Sequence, residues 1–109
     1  MVNYKDEQLT IIFSALSDPT RRAMLKRLGD KEMPVAELAE PFDMTKSAIT
    51  KHVKVLENAK LLQRSIHGRT HYCKFNPEPL DHASQWMRFY KVFWNKKLDA
   101  LDDFLNEQE

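Results

Sequence analysis

The hydrophobic period of this chain changes at Leu61. Before it, apolar residues recur at the helical spacing of about 3.6. Over residues 61–75, Leu62, Arg64 and Ile66 alternate with Gln63 and Ser65, and residues 70–75 are rich in β-branched and aromatic types. Between them His67, Gly68 and Arg69 read as a turn in which glycine can take a positive φ. Helical spacing returns after Asn76 and Pro77. A single β-hairpin set among helices therefore defines the expected class: mainly α with a small β-hairpin. At 109 residues the chain is expected to form one domain over 1–109.

Four helices are expected before the hairpin. Leu9, Ile12, Phe13 and Leu16 fall on one stripe of a helix over about residues 6–17. Asp18 as N-cap and Pro19 at the first helical position restart the chain. This second helix buries Leu25 and Leu28 and is expected to stop at Gly29. A short third helix over about 36–40 turns Leu38 and Ala39 inward, has a weak N-cap and ends at Pro41. After a tight connection at residues 42–44, Thr45 caps a fourth helix reaching Asn58 or Ala59. Two short helices joined by three or four residues have helix-turn-helix spacing.

The fourth helix carries the clearest chemical signal. Ile49, Val53 and Leu56 form its apolar side, and Ser47, Thr50, Lys51 and Lys54 share the other. Hydroxyls and amines without a carboxylate are what a helix entering the DNA major groove requires. The net charge of +1 conceals this asymmetry. Residues 44–75 hold seven Lys/Arg against one acid, Glu57, a net of +6, while the rest of the chain holds ten against fifteen, a net of −5. A basic hairpin tip at His67, Gly68 and Arg69 suits a wing lying on phosphates or in a minor groove. Charge alone would equally describe a solvated, Lys-rich surface.

The last helix, to about Leu105, presents Leu80, Ala83, Trp86, Met87, Tyr90, Phe93, Trp94, Leu98, Leu101 and Leu105 on a broad apolar face. Its six aromatics, including Phe89 and Phe104, exceed what a core of this size hides, so a subunit interface with the first helix is expected. The first seven residues contain no apolar leader segment and no apolar run approaches a membrane span, giving the expectation of a soluble, cytoplasmic protein without membrane partners. One cysteine, Cys73, forms no internal disulfide. No catalytic motif is present, so an enzyme is not expected. His71 and Cys73 share a strand face and could with His67 start a soft-metal site, although packing is the commoner role of such a pair. His52, between the two sides of the fourth helix, suits a hydrogen-bonded structural role or a phosphate contact. Arg21 and Arg22 either touch phosphates or pair with neighbouring acids, with a structural role favoured for at least one.

Residues 18–22 (Asp-Pro-Thr-Arg-Arg), 37–39 (Glu-Leu-Ala), 47–62, and Gly68-Arg69 before Tyr72 together resemble the ArsR family of bacterial regulators, and the likeness covers nearly the whole chain. The resemblance implies a dimeric winged helix-turn-helix repressor. Its first and last helices would form the dimer, and the helix containing Ser47 to Leu56 would read an inverted-repeat operator in double-stranded DNA. The DNA-binding candidates are then Thr45, Lys46, Ser47, Thr50, Lys51, Lys54, His67 and Arg69. The dimer candidates are Leu9, Phe13, Trp86, Phe89, Tyr90, Phe93, Trp94, Leu98 and Leu101. Metal-sensing members of the family carry a Cys-x-Cys pair in the helix-turn-helix or paired His and acidic ligands in the last helix. Here residues 37–43 have no Cys, and the last helix has only His82 beside Asp81, so no metal ligand set and no cofactor is expected. Two rival readings are a winged helix used for protein contact and a regulator whose aromatic last helix binds a small-molecule effector.

Overall fold

The computed structural model describes residues 4–107, with side chains from residue 6 onward, so part of the N-terminal stretch read for a leader lies outside the described residues. Its elements follow the order α1 (Tyr4–Leu16), α2 (Pro19–Asp30), β1 (Met33–Pro34), α3 (Val35–Ala39), α4 (Lys46–Asn58), β2 (Leu62–His67), β3 (Thr70–Phe75) and α5 (Glu78–Glu107).

Local chemistry explains most boundaries. Asp18 is extended, and its carboxylate accepts the Arg21 N–H, giving α2 the expected N-cap with Pro19 following. The helix does not stop at Gly29. It continues to Asp30 and ends where Lys31 turns extended, so Gly29 is an exposed helical residue rather than a terminator. Helix α3 begins one residue earlier than expected, at Val35, and its N-cap Pro34 makes no side-chain capping bond. Thr45 Oγ1 accepts from Ala48 N at 3.1 Å and opens α4. The far end of α4 closes as a Schellman motif: Leu61 N donates to Leu56 O at 3.0 Å and Lys60 N to Glu57 O at 2.9 Å. Lys60 occupies the left-handed position that usually falls to glycine, with φ 61°. Asn76 holds it there, donating from Nδ2 to Lys60 O and from its backbone N to Leu61 O, both at 2.9 Å.

The hairpin forms with Leu62 opposite Phe75 and His67 opposite Thr70, around Gly68 at φ 65°. It is not the whole sheet. Met33 and Pro34 pair antiparallel with Cys73 and Tyr72, giving three strands in the order β1-β3-β2. A two-residue strand ending in proline has no alternation to reveal it, which is why the apolar pattern predicts only the hairpin.

One cluster of buried residues joins α2, α3, α4 and the base of the sheet: Met24, Leu25, Leu28, Met33, Leu38, Ile49, Val53, Leu56, Leu61, Leu62 and Cys73. Each such aliphatic side chain contributes about 1.5–3 kcal/mol relative to exposure. From α1 the cluster takes Ala15, with Ile12 buried nearby, while Leu9, Phe13 and Leu16 are only half-buried. Helix α5 behaves differently. Only Pro79 and Ala83 are buried, and it packs on α1 near its start. At 30 residues it is about 45 Å long. The radius of gyration is consequently 19.0 Å, against about 13 Å for a compact domain of this size.

Candidate nucleic-acid interface

Burial of Ile49, Val53 and Leu56 fixes the rotation of α4 and leaves Lys46, Ser47, Thr50, Lys51 and Lys54 exposed together. The preceding helix of the pair, α3, has only five residues and needs outside support. Arg27 supplies it from α2, donating through Nη2 to Glu37 O at 3.0 Å and contacting Met33 Sδ at 3.7 Å. Lys31 adds an ion pair with Glu37 at 3.1 Å. These supports are absent from the sequence reading because a long side chain that caps a carbonyl ten residues away leaves no periodic signature.

The arginines after Asp18 resolve in one direction. Arg22 Nη1 donates to Leu16 O at 2.6 Å, and Arg21 donates to Ser14 O and Ala15 O at 2.9 and 2.7 Å. Both therefore cap the C-terminal carbonyls of α1, where cations are favoured, and neither pairs with an acid as its principal contact. His52 is the hydrogen-bonded structural histidine: its Nδ1 lies 3.2 Å from Arg21 Nη1 and 4.0 Å from Asp18 Oδ2. The Asp18 carboxyl is held below the usual carboxylate range, chiefly by the Arg21 N–H it accepts; burial opposes this, and the His52 and Arg21 charges and the Thr20 N–H add to the lowering.

On the wing, Arg69 is exposed at the turn beside Gly68. His67 is partly committed: its ring meets Tyr72 edge-to-face at 5.1 Å, and Nε2 lies 3.3 Å from Ser65 Oγ. Thr45 is committed as well, since its oxygen caps α4 and leaves only the hydroxyl proton for a phosphate. Register separates the three residues weighed as a soft-metal site. His71 shares the Cys73 face, whereas His67 lies on the other with Tyr72. Cys73 is fully buried, and burial pushes its thiol pKa up, away from the thiolate a metal would need. Among the described residues no three His, Cys, Asp or Glu side chains converge as a metal site.

His71 is the residue the sequence reading missed here. With Arg69, Thr70, the start of α3 and Arg64, which is paired with Glu57, it lines a groove between wing and helix-turn-helix. A shallow apolar hollow beside it, bounded by Ala36, Met44, Ile49 and Thr50, separates α3 from α4. Recognition face, groove and wing tip thus form one continuous surface.

The candidate interface residues on α1 and α5 are brought together only at their base. Phe13 and Trp86 meet edge-to-face at 5.5 Å, Trp86 and Tyr90 tilt at 4.7 Å, and Leu9 and Phe13 border the groove beside Trp86. Phe89, Tyr90, Phe93, Trp94, Leu98 and Leu101 remain exposed, Phe89 most of all at 70%. Exposed Met87, Phe104 and Leu105 extend the same apolar surface beyond the sequence-based set, and Ile11 and Val92 are exposed as well.

Fold and surface together define a winged helix-turn-helix protein. Residues 16–64 match the helix-turn-helix domain family. The transcriptional repressor SdpR of Bacillus subtilis is 33% identical over 76 residues, 70% of this chain and 84% of the relative. The crystal structure of an ArsR family transcriptional regulator superposes with a TM-score of 0.78 at 39% identity, covering 87% of this chain and 97% of the other. A homodimeric winged helix-turn-helix DNA-binding domain from Mycobacterium bovis shares the fold at 20% identity and a TM-score of 0.62, over 85% of this chain and 83% of its own. The chain belongs to the ArsR family and is a DNA-binding transcriptional regulator. Among the described residues no helix is long and apolar enough to cross a membrane.

Proposed function

We propose that this protein is a dimeric repressor that binds an inverted repeat in double-stranded DNA, with α4 in the major groove and the wing against the backbone. The observation that carries this reading is the acid-free exposed face of α4. Ser47 and Thr50 read base edges, Lys46, Lys51 and Lys54 take phosphates or guanine edges, and Arg69 with His67 anchors the wing. The proton of Thr45 serves a phosphate at the start of the helix.

The dimer half of the proposal rests on α5. A contiguous apolar surface of this extent on a monomer marks a contact surface. A second copy is the occupant its charges fit, because residues 88–97 carry Arg88, Lys91, Lys96 and Lys97 with no acid, and residues 99–107 carry Asp99, Asp102, Asp103 and Glu107 with no base. Antiparallel pairing of two such helices about an axis near Leu98 sets each basic half against an acidic half. The two-fold axis then duplicates α4, at about 34–36 Å between recognition helices, one DNA turn. The name of the SdpR relative supports repression, and the homodimeric neighbour supports the assembly.

Selection of bound duplexes from random DNA, together with light scattering of the free protein, tests both halves. The expected result is a dimer that enriches an inverted repeat. A monomer that binds one unrepeated site as a single copy contradicts the proposal.

A further inference from the structure

We infer that Arg21 is a positioning residue that couples the helix used for assembly, α1, to the recognition helix, α4. The inference rests on the dimeric reading above. One guanidinium reaches three acceptors on two helices. Nε donates to Ala15 O at 2.7 Å and Nη2 to Ser14 O at 2.9 Å, both on the last turn of α1, while Nη1 lies 3.2 Å from Nδ1 of His52 on α4. Guanidinium has only donors, so the contact with His52 is a hydrogen bond only when Nδ1 carries its lone pair, with the ring proton on Nε2. Asp18 completes the clamp by accepting the Arg21 N–H at 3.1 Å, which anchors the arginine backbone in the first turn of α2.

The two ends of this link sit beside the two functional surfaces. On α1, Ser14 and Ala15 follow Phe13, whose ring packs on Trp86 at the base of the projecting α5. On α4, His52 adjoins Lys51 of the recognition face, and its side chain is only 17% exposed. A planar fork held by three acceptors fixes direction as well as distance, which a flexible ammonium does not. The orientation of α4 is thereby referred to α1 and not only to its own core contacts. In a dimer this is the relationship that matters, because both recognition helices must meet successive major grooves together. A looser α4 still meets one half-site and loses the advantage of binding two at once.

The test uses the full-length protein with a duplex recovered from random-sequence DNA by the wild type, offered as the complete inverted repeat and as one half. Anisotropy gives the ratio of full-site to half-site affinity, and sedimentation equilibrium gives the dimer dissociation constant. In Arg21→Ala and His52→Ala the ratio should fall by about tenfold or more, out of the roughly 10²–10⁴ that two-point attachment provides. Dimerisation and affinity for an unrelated duplex should stay within about twofold, since these changes remove neither interface nor phosphate contacts. His52→Asn, whose side-chain oxygen stands in for Nδ1, should restore the ratio, and Arg21→Lys should not. The coupling is overturned if the ratio survives in Arg21→Ala, or if His52→Asn behaves as His52→Ala. Should Arg21→Ala fail to fold, the two His52 variants decide, because they leave the α1 carbonyl caps intact. A wild-type chain that is monomeric and has no full-site advantage overturns the dimer reading, and the coupling with it.

Discussion

Glu57, the only acid between residues 44 and 75, has its Oε1 2.6 Å from Arg64 Nη2. The pair joins the last turn of α4 to β2 and is about one-third exposed at both partners. It neutralises the one carboxylate that would otherwise repel DNA, and it engages a basic residue that the charge count alone would assign to binding. Glu57→Gln should therefore strengthen salt-sensitive binding to any duplex, by adding one net positive charge, while lowering stability by no more than about 1 kcal/mol, as expected of a solvent-screened pair. Filter binding across a salt series and urea unfolding give the two values, and weaker binding in this variant would place Arg64 among the essential DNA contacts.

Asp18→Ala removes an N-cap and should lower stability by about 1 kcal/mol near neutral pH. The sign of its pH dependence follows from a folded-state pKa held below the unfolded value. Stability from such a group is present above the unfolded carboxylate pKa of about 3.9 and is lost as pH falls through the folded value. The difference between wild type and variant should then narrow below about pH 4. Denaturant unfolding at neutral and acid pH measures it, and a gap that widens on acidification would be inconsistent with the cap.

Lys60 holds a left-handed backbone conformation that disfavours a side chain by about 1–2 kcal/mol. Lys60→Gly should raise stability, by up to about 1 kcal/mol after the larger entropy of unfolded glycine is counted. A β-branched residue there, as in Lys60→Val, should lower it. Chemical unfolding midpoints test the order Gly above Lys above Val, and a destabilised glycine variant would show that the Lys60 side chain matters more than its backbone.

Helices with ordinary caps were legible in the sequence. Asp18-Pro19 and Thr45 mark their helix starts by local hydrogen bonds, and the Ile49, Val53, Leu56 stripe fixes the face of α4. The unread parts all depend on distant partners. Strand β1 exists because β3 offers Met33 and Pro34 an edge. The Arg21 and Arg27 contacts join residues up to 31 positions apart, which no periodicity can display. Charge counting found the basic middle of the chain but could not separate Arg64, spent on Glu57, from the free face of α4.

Trp94 is 61% exposed halfway along α5, within the basic stretch that ends at Lys97. Trp94→Asp should convert dimer to monomer by placing a carboxylate in the apolar seam opposite the acidic half of the partner helix, with little effect on a core that α5 touches only near Ala83. Sedimentation velocity checks the mass and thermal unfolding checks the core. A dimeric variant with unchanged dissociation constant would remove α5 from the interface.

The most direct measurement is the salt dependence of duplex binding by the Lys51→Ala/Lys54→Ala double variant beside wild type. Both side chains are exposed on α4, so the fold should survive and the circular dichroism spectrum should not change. If they meet phosphates, binding should weaken and the slope of log affinity against log salt should flatten by about one unit per lysine. Wild-type affinity and slope in a folded double variant would contradict the assignment of α4 as the recognition helix.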